Sequence, residues 1–305
     1  MTFEKTRGLV AAPPTAMHAD GAVDLDPIEA QCEMLVRDGV VGAFVCGTTG
    51  EGPSLTVGER IAVAERWARV APDGFRVIVH VGHTCLPDSQ ALAARAAADG
   101  AWGVGAMAPL FFRPASLEDL VDCAARIASA APGLPFYYYH IPAMTNVDFP
   151  MAEFLRAAAG RIPNLAGVKY SSVDLMGYAA CLDVDGGRFD CLFGKDEILL
   201  SALVLGAEGA IGSTYSFAAP LYGRILDAFR AGDLPTARRL QKRSMAVVRV
   251  ALRYGFVIVP FKHMMRMVGL DVGPVRPPLR PLPAEQVSAL RSELEAVGFF
   301  EFCSR

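Results

Sequence analysis

Residues 165–172 read LAGVKYSS, an apolar run that ends in a lysine, a tyrosine and two serines. A short apolar run of this kind is typical of a strand that is buried on both faces of a parallel sheet. Parallel strands cannot be joined by tight hairpins, so each one needs a return connection that is usually a helix. The number of similar runs in the chain, and the segments between them, therefore decide the fold.

Seven further runs of this kind occur, and longer segments with apolar residues at helical spacing separate them, as at Leu221, Ile225 and Phe229. The eight runs are GLVAAP (8–13), GAFVCG (42–47), RVIVHVG (76–82), WGVGAMAP (102–109), PFYYYHI (135–141), LAGVKYS (165–171), CLFG (191–194) and GAIGST (209–214). Eight successive βα units predict an α/β fold, the (β/α)8 TIM barrel.

The chain continues beyond the eighth predicted unit. Three amphipathic segments follow, at about 235–254, 260–268 and 284–297, and the proline-rich VGPVRPPLRPLP lies between the last two. We therefore expect residues 1–232 to form the barrel and residues 233–305 to form a C-terminal helical extension packed on it.

Composition excludes several classes of partner. The 305 residues are 52% hydrophobic and 20% charged, with a net charge of −3. Without a basic surplus, neither nucleic acid nor a membrane surface is an expected partner. The start lacks a signal-peptide core and no later run has the length of a membrane span, so we expect a cytoplasmic protein. Seven cysteines without a CxxC pair favour reduced core residues over disulfides or zinc ligands.

In barrels of this kind, catalytic residues lie at the carboxyl ends of the strands. The residues at these predicted ends are Thr48, Thr49, Glu51, His83, Phe111, Phe112, Tyr139, His140, Lys169, Ser171, Gly194, Asp196, Glu197, Ser213 and Thr214.

Lys169 is notable among them because the chain contains only five lysines. A lysine at the end of an apolar strand has its charged form destabilised by desolvation, and the free amine can form a Schiff base with a ketone. The alternative is a structural lysine that reaches solvent or pairs with a carboxylate.

Tyr139 ends the strand that precedes Lys169 in the predicted barrel, and its phenol could move protons during catalysis. Alternation along the strand directs Tyr137 and Tyr139 to one face and Tyr138 to the other. Simple packing therefore explains Tyr138 better than Tyr139.

The loop GTTGEGPSL (47–55) offers two adjacent hydroxyls and glycine-flanked N–H groups at a strand end, which suits a carboxylate. It matches neither a P-loop nor a dinucleotide fingerprint, and an ordinary turn is the alternative.

Five motifs in order resemble one family. GTTGE (47–51), YHIP (139–142), GVK (167–169), GKDE (194–197) and GAIGSTY (209–215) are similar to the pyruvate-dependent class I aldolases that include dihydrodipicolinate synthase and N-acetylneuraminate lyase. The resemblance covers nearly the whole chain. It implies a TIM barrel in which Lys169 forms an imine with the keto carbon of the substrate and Tyr139 relays protons.

The same resemblance implies the rest of the site and the reaction. Thr48 and Thr49 would hold the substrate carboxylate, and the residues for the hydroxylated tail would be Ser171, Gly194, Asp196, Glu197 and Ser213. The implied reaction is reversible cleavage of N-acetylneuraminate into pyruvate and N-acetylmannosamine. It would use small-molecule keto acid and sugar substrates, no metal and no organic cofactor, in a homotetramer.

Some positions depart from the family pattern. Met144 replaces an arginine that the synthase branch uses to grip a second carboxylate, which argues against a synthase. Phe111 replaces a tyrosine of some relatives, and His83, Lys195 and Ser216 also differ. A pyruvate aldolase for another sugar acid, or a synthase-like condensation, therefore stays open.

The sequence allows three interpretations outside this reaction. His80 and His83 form HxxH, but on a strand they would point to opposite faces and no acidic ligand set accompanies them. GAEGAIGST could form a phosphate loop, which Asp196 and Glu197 would disfavour. A noncatalytic sugar-acid binding protein would need no imine, and the pair Lys169 and Tyr139 argues against it.

Overall fold

Eight parallel strands close into a barrel in sequence order in this computed structural model, which describes residues 3–304. The strands are β1 (Gly8–Ala11), β2 (Gly42–Val45), β3 (Arg76–His80), β4 (Gly103–Met107), β5 (Phe136–His140), β6 (Leu165–Tyr170), β7 (Asp190–Phe193) and β8 (Gly209–Gly212). Val10 of β1 pairs with Ile211 of β8, which closes the ring. The predicted TIM barrel is confirmed, and each strand lies within about two residues of its predicted run.

Helices cover the outside of the barrel and continue after it. They are α1 (Pro27–Arg37), α2 (Val57–Val70), α3 (Leu86–Ala98), α4 (Leu117–Ala128), α5 (Pro142–Thr145), α6 (Met151–Ala158), α7 (Leu175–Leu182), α8 (Leu199–Val204), α9 (Tyr215–Arg230), α10 (Leu234–Leu252), α11 (Ile258–Met267) and α12 (Ala284–Ala296). Local sequence sets several starts. Thr56 and Glu59 form a capping box that begins α2, and Pro27 opens α1, where a missing N–H costs nothing.

Side-chain alternation separates the barrel interior from the layer beneath the helices. Tyr137 and Tyr139 lie in the interior cluster, whereas Tyr138 faces outward and packs against Phe154 with 4.6 Å between ring centroids. This confirms the predicted orientation of the three tyrosines. The buried interior residues are Val10, Ala12, Phe44, Ile78, Met107, Tyr137, Tyr139, Ala166, Leu192 and Ile211.

The three helices after the barrel pack on one side of it. α10 runs along α9, and α12 packs against α10. The predicted boundary after residue 232 falls in the short connection between α9 and α10, although the division into two regions stays a prediction. Within residues 3–304, no helix combines the length and the apolar character needed to cross a bilayer.

Candidate active site

A cavity of about 290 Å³ lies at the carboxyl ends of the strands and brings together residues from β5, β6 and β8, from the segment after β7 and from the loop after β2. Its lining includes all nine residues predicted for catalysis and substrate binding. They are Thr48, Thr49, Tyr139, Lys169, Ser171, Gly194, Asp196, Glu197 and Ser213. Their roles stay predictions.

Lys169 is held inside the barrel rather than at the surface. Its side chain is buried, and Nζ lies 3.8 Å from the ring centroid of Phe44 and 4.0 Å from that of Tyr139. No ion pair joins Lys169 to a carboxylate among residues 3–304. Burial lowers the pKa of Lys169 to about 7, and the negative charge of Asp196 opposes this shift. A substantial fraction of the amine is therefore neutral and nucleophilic near pH 7.

Tyr139 and Lys169 are register partners on β5 and β6, so the phenol lies beside the amine. The Tyr139 hydroxyl is 3.2 Å from Oγ1 of Thr48. Burial raises the pKa of Tyr139 to about 12, although the hydroxyls of Thr48 and Ser171 lower it in part. The phenol is thus protonated at rest and can donate a proton to a group bound at Lys169.

The loop after β2 places two hydroxyls close to Tyr139 and to the end of β8. Thr48 contacts Tyr139, and Oγ1 of Thr49 lies 2.5 Å from Oγ of Ser213 at the end of β8. A Cβ on Gly52 would lie only 1.9 Å from the carbonyl oxygen of Cys46, so the tight return of the chain requires glycine there. Glu51 is also buried but does not line the cavity.

Two carboxylates after β7 have different surroundings. Oδ2 of Asp196 accepts hydrogen bonds from the N–H and the Oγ1 of Thr214, at 2.9 and 2.7 Å. Burial raises the pKa of Asp196 to about 6, and the neighbouring Glu197 adds to the shift. Glu197 forms an ion pair with Lys195 at 2.8 Å, and both side chains are about one third exposed. Asp196 therefore forms a fixed inner wall, whereas Glu197 lies at the partly solvated rim.

Glycine at position 194 leaves room for a serine hydroxyl. A Cβ on Gly194 would lie 2.1 Å from Oγ of Ser171, the residue that follows β6. Both residues line the cavity. A larger residue at 194 would displace this hydroxyl.

The two histidines of HxxH are separated. His80 is buried at the end of β3, with Nδ1 3.1 Å from the carbonyl oxygen of Cys46, whereas His83 lies beyond the strand and its Nδ1 accepts from the N–H of Cys85. The run predicted to extend to residue 82 ends at His80, so the opposite-face prediction does not apply to His83. Among residues 3–304, no group of three or more His, Cys, Asp or Glu side chains could hold a metal ion.

Sequence reasoning missed two parts of the site. Phe44, which contacts the Lys169 amine, is an inward residue of β2, and alternation along that strand could have identified it. The second part is an apolar wall from α10, α11 and the connection between them. It consists of Val248, Leu252, Phe256, Val257, Ile258 and Phe261. Met144, whose side chain is partly exposed, also lines the cavity.

Comparisons with known proteins agree with this architecture. The model of the dihydrodipicolinate synthetase family matches residues 5–297. N-acetylneuraminate lyase of Rattus norvegicus is 40% identical over 303 residues, which cover 98% of this chain and 95% of the relative.

Solved structures give the same picture. N-acetylneuraminate lyase of Proteus mirabilis is 39% identical with a TM-score of 0.94, and the match covers 97% of this chain and 100% of that one. The sialic acid aldolase of Aliivibrio salmonicida is 40% identical, also with a TM-score of 0.94, over 97% and 98% of the two chains. The chain therefore belongs to the dihydrodipicolinate synthetase family.

Proposed function

We propose that this protein is an N-acetylneuraminate lyase, a carbon–carbon lyase that reversibly cleaves N-acetylneuraminate into pyruvate and N-acetylmannosamine through an imine on Lys169. The observation that carries the proposal is the buried Lys169 amine, with its pKa lowered to about 7, beside the Tyr139 ring at 4.0 Å. The relatives in the preceding section, which bear the name of this activity, support the choice of reaction.

The first step is addition of the neutral Lys169 amine to the keto carbon of the open-chain sugar acid. Proton transfer gives a carbinolamine, and the Tyr139 phenol then donates its proton to the leaving hydroxyl, which departs as water. The products of this step are an iminium ion and a phenolate. Because both form inside a buried site, their opposite charges stabilise each other more strongly than they would in water.

The second step breaks the carbon–carbon bond. The phenolate of Tyr139 accepts the proton of the hydroxyl on the carbon two positions from the imine carbon. The bond between that carbon and the carbon next to the imine carbon breaks, and its electrons move toward the iminium nitrogen. This gives an enamine and releases the aldehyde sugar. Protonation of the enamine carbon and hydrolysis of the pyruvate imine then restore the Lys169 amine. The covalent intermediate divides one difficult cleavage into easier steps.

The remaining lining residues are proposed to orient the substrate. The hydroxyls of Thr48 and Thr49 lie close to Tyr139 and Ser213, so a carboxylate bound to this loop would hold the keto carbon near Lys169. The polar tail would lie toward Ser171, Gly194, Asp196, Glu197 and Ser213. Carboxylate and hydroxyl groups suit the donors and acceptors of a polyol.

Met144 favours a lyase over a synthase-like condensation. It lines the cavity as an uncharged side chain, so it offers nothing to pair with a second substrate carboxylate. A noncatalytic sugar-acid binding protein would not need a desolvated amine at the end of β6.

Trapping of the imine tests the proposal. Borohydride reduction in the presence of pyruvate should add the mass of the reduced adduct to a peptide that contains Lys169, and Lys169→Ala should abolish the addition. Lys195 is the matched control because it lines the same cavity, and Lys195→Ala should still be labelled. Labelling confined to Lys195, or labelling that survives Lys169→Ala, would contradict the mechanism.

We also propose that the enzyme works in the cytoplasm as a homotetramer. The resemblance to the family supports the tetramer, and buried thiols at Cys32, Cys46, Cys181 and Cys191 suit a reducing compartment. Light scattering coupled to size-exclusion chromatography would measure the assembly, and a monomeric mass would contradict it.

A further inference from the structure

A second buried lysine lies close to the active-site loop. Nζ of Lys262, in α11, is 2.7 Å from Oε1 of Glu51, and each side chain is only 2% exposed. Neither residue lines the cavity. Taking two charges out of water costs several kcal/mol per ion, so a buried pair requires good geometry and further hydrogen bonds.

The C-terminal part of the chain supplies these further bonds. Nζ of Lys262 donates to the carbonyl oxygen of Pro274 at 2.6 Å, and the main-chain N–H of Arg276 donates to Oε2 of Glu51 at 2.8 Å. Both carboxylate oxygens of Glu51 therefore face donors from beyond residue 260. Burial lowers the pKa of Lys262, and the contact with Glu51 opposes that shift.

The side chain of Arg276 extends this contact to the turn that follows Glu51 within the loop 47–55. Its Nε donates to the carbonyl oxygen of Gly21 at 2.8 Å, and one terminal nitrogen donates to the carbonyl oxygen of Ser54 at 2.9 Å and to Glu59 at 2.8 Å. Ser54 ends the short 3-10 turn that begins directly after Glu51. Arg276 therefore contacts both Glu51 and the turn that follows it.

The backbone at Glu51 explains why such an anchor is needed. Glu51 has φ of 53° and ψ of 28°, in the left-handed region that a residue with a side chain rarely adopts. Its N–H donates to the carbonyl oxygen of Thr48 at 3.0 Å, so the conformation of Glu51 and the position of the threonine pair are directly linked. A strained conformation of this kind persists where the surroundings hold it in place.

We infer that Glu51 and Lys262 are positioning residues whose buried ion pair fixes the first part of this loop, residues 47–51, and with it Thr48 and Thr49, for binding of the substrate carboxylate. This inference rests on the proposed function, because it assigns the carboxylate to that loop. Helix α11 would then contribute to the site in two ways, through the ion pair of Lys262 and through Ile258 and Phe261, which line the cavity. The helix then joins the wall of the cavity to the carboxylate end of the site.

A pair that only stabilised the fold would have different consequences. Loss of one partner leaves an uncompensated buried charge and destabilises strongly, whereas loss of both charges is far less costly. The variants Glu51→Gln and Lys262→Met, and the double variant with both changes, therefore separate folding from positioning. Arg243→Met is the matched control, since it removes an ion pair of the extension, with Glu301 at 2.9 Å, on the exposed surface.

The test measures the half-saturating pyruvate concentration for borohydride trapping and the amide hydrogen exchange of residues 46–55. In the folded double variant we expect the half-saturating concentration to rise about 10- to 100-fold, the loss typical of small displacements in an active site, together with faster exchange in the loop. Maximal trapping at saturating pyruvate should be retained, because Lys169 is unchanged. Arg243→Met should match wild type in both measurements.

Two results would overturn the inference. One is a folded double variant with the half-saturating concentration and loop exchange of wild type, since the pair would then serve stability alone. The other is a shift of equal size in Arg243→Met. Failure of the proposed function looks different, because wild type itself would then form no pyruvate adduct, while the exchange measurement would still report on the ion pair.

Discussion

Tyr139 and Lys169 face each other across adjacent strands, and the lysine Nζ lies 4.0 Å from the centroid of the tyrosine ring. Strand pairing in the closed barrel fixes this relationship, so it does not depend on a flexible loop. Burial moves the two pKa values in opposite directions, to about 7 for Lys169 and about 12 for Tyr139. The result is a neutral amine next to a protonated phenol, which is the combination that carbinolamine formation and dehydration require.

Removal of the Tyr139 hydroxyl should slow turnover far more than it weakens pyruvate binding. For Tyr139→Phe we expect kcat to fall on the order of 10²- to 10⁴-fold, the usual contribution of a general acid–base group. Tyr138→Phe is the matched control because its ring packs outside the barrel against Phe154. Steady-state kinetics of both variants provide the measurement, and unchanged turnover in Tyr139→Phe would assign that residue to packing.

The pH dependence of imine formation should follow the Lys169 amine. Below its pKa of about 7 the amine holds a proton and cannot attack, so the initial rate of imine formation with pyruvate should rise as the pH increases through 7 and then level off. The charge of Asp196 raises this pKa, and its removal in Asp196→Asn should therefore move the rising limb to lower pH.

Rapid trapping of the imine at a series of pH values measures this limb. In the unchanged protein, the N–H and Oγ1 of Thr214 both donate to Oδ2 of Asp196. The side-chain oxygen of asparagine can still accept these hydrogen bonds. A limb that stays in place or moves to higher pH in Asp196→Asn would contradict the proposed coupling of the two charges.

Activity should survive exhaustive chelation. In the proposed mechanism the iminium nitrogen accepts the electrons of the broken bond, so no Lewis acid is required. The measurement compares the cleavage rate before and after dialysis against EDTA, with a sample returned to divalent ions as the control. Loss of activity that a divalent ion restores would support a metal-dependent aldolase instead.

The hydroxylated tail of the substrate should determine specificity. We expect kcat/KM to fall steeply for keto acids that lack the terminal hydroxyls, since a site built around hydrogen bonds discriminates strongly against analogues without them. Asp196→Ala and Glu197→Ala should each reduce this preference while the pyruvate imine still forms. Glu208→Ala is a suitable control because Glu208 pairs with Lys5 and Arg7 away from the cavity.

Competition between aldehyde acceptors measures the same preference in the condensation direction. N-acetylmannosamine should react in preference to glyceraldehyde. Efficient condensation of pyruvate with aspartate semialdehyde would instead place the protein in another branch of the family, despite the uncharged Met144.

Most of the site was predictable because its residues lie at strand ends. Once eight runs are recognised, the barrel rule places Lys169 and Tyr139 at the catalytic face, and alternation separates Tyr139 from Tyr138. Alternation along β2 could also have identified Phe44 as an inward residue. The contact between Asp196 and Thr214 could not be predicted in this way. Both residues were recognised at strand ends, but the contact between them depends on how two loops approach each other.

The sequence by itself determined the barrel, its strand ends and the residues that meet there, since hydrophobic periodicity and strand alternation are local properties of the chain. Only the tertiary structure decided which C-terminal residues wall the cavity and that Lys262 and Arg276 hold Glu51. Arg276 and Glu51 are 225 positions apart, and no local pattern records that they meet. The physical reason is that burial and long-range packing set the partners of these charged groups, and with them the shifted pKa of Lys169.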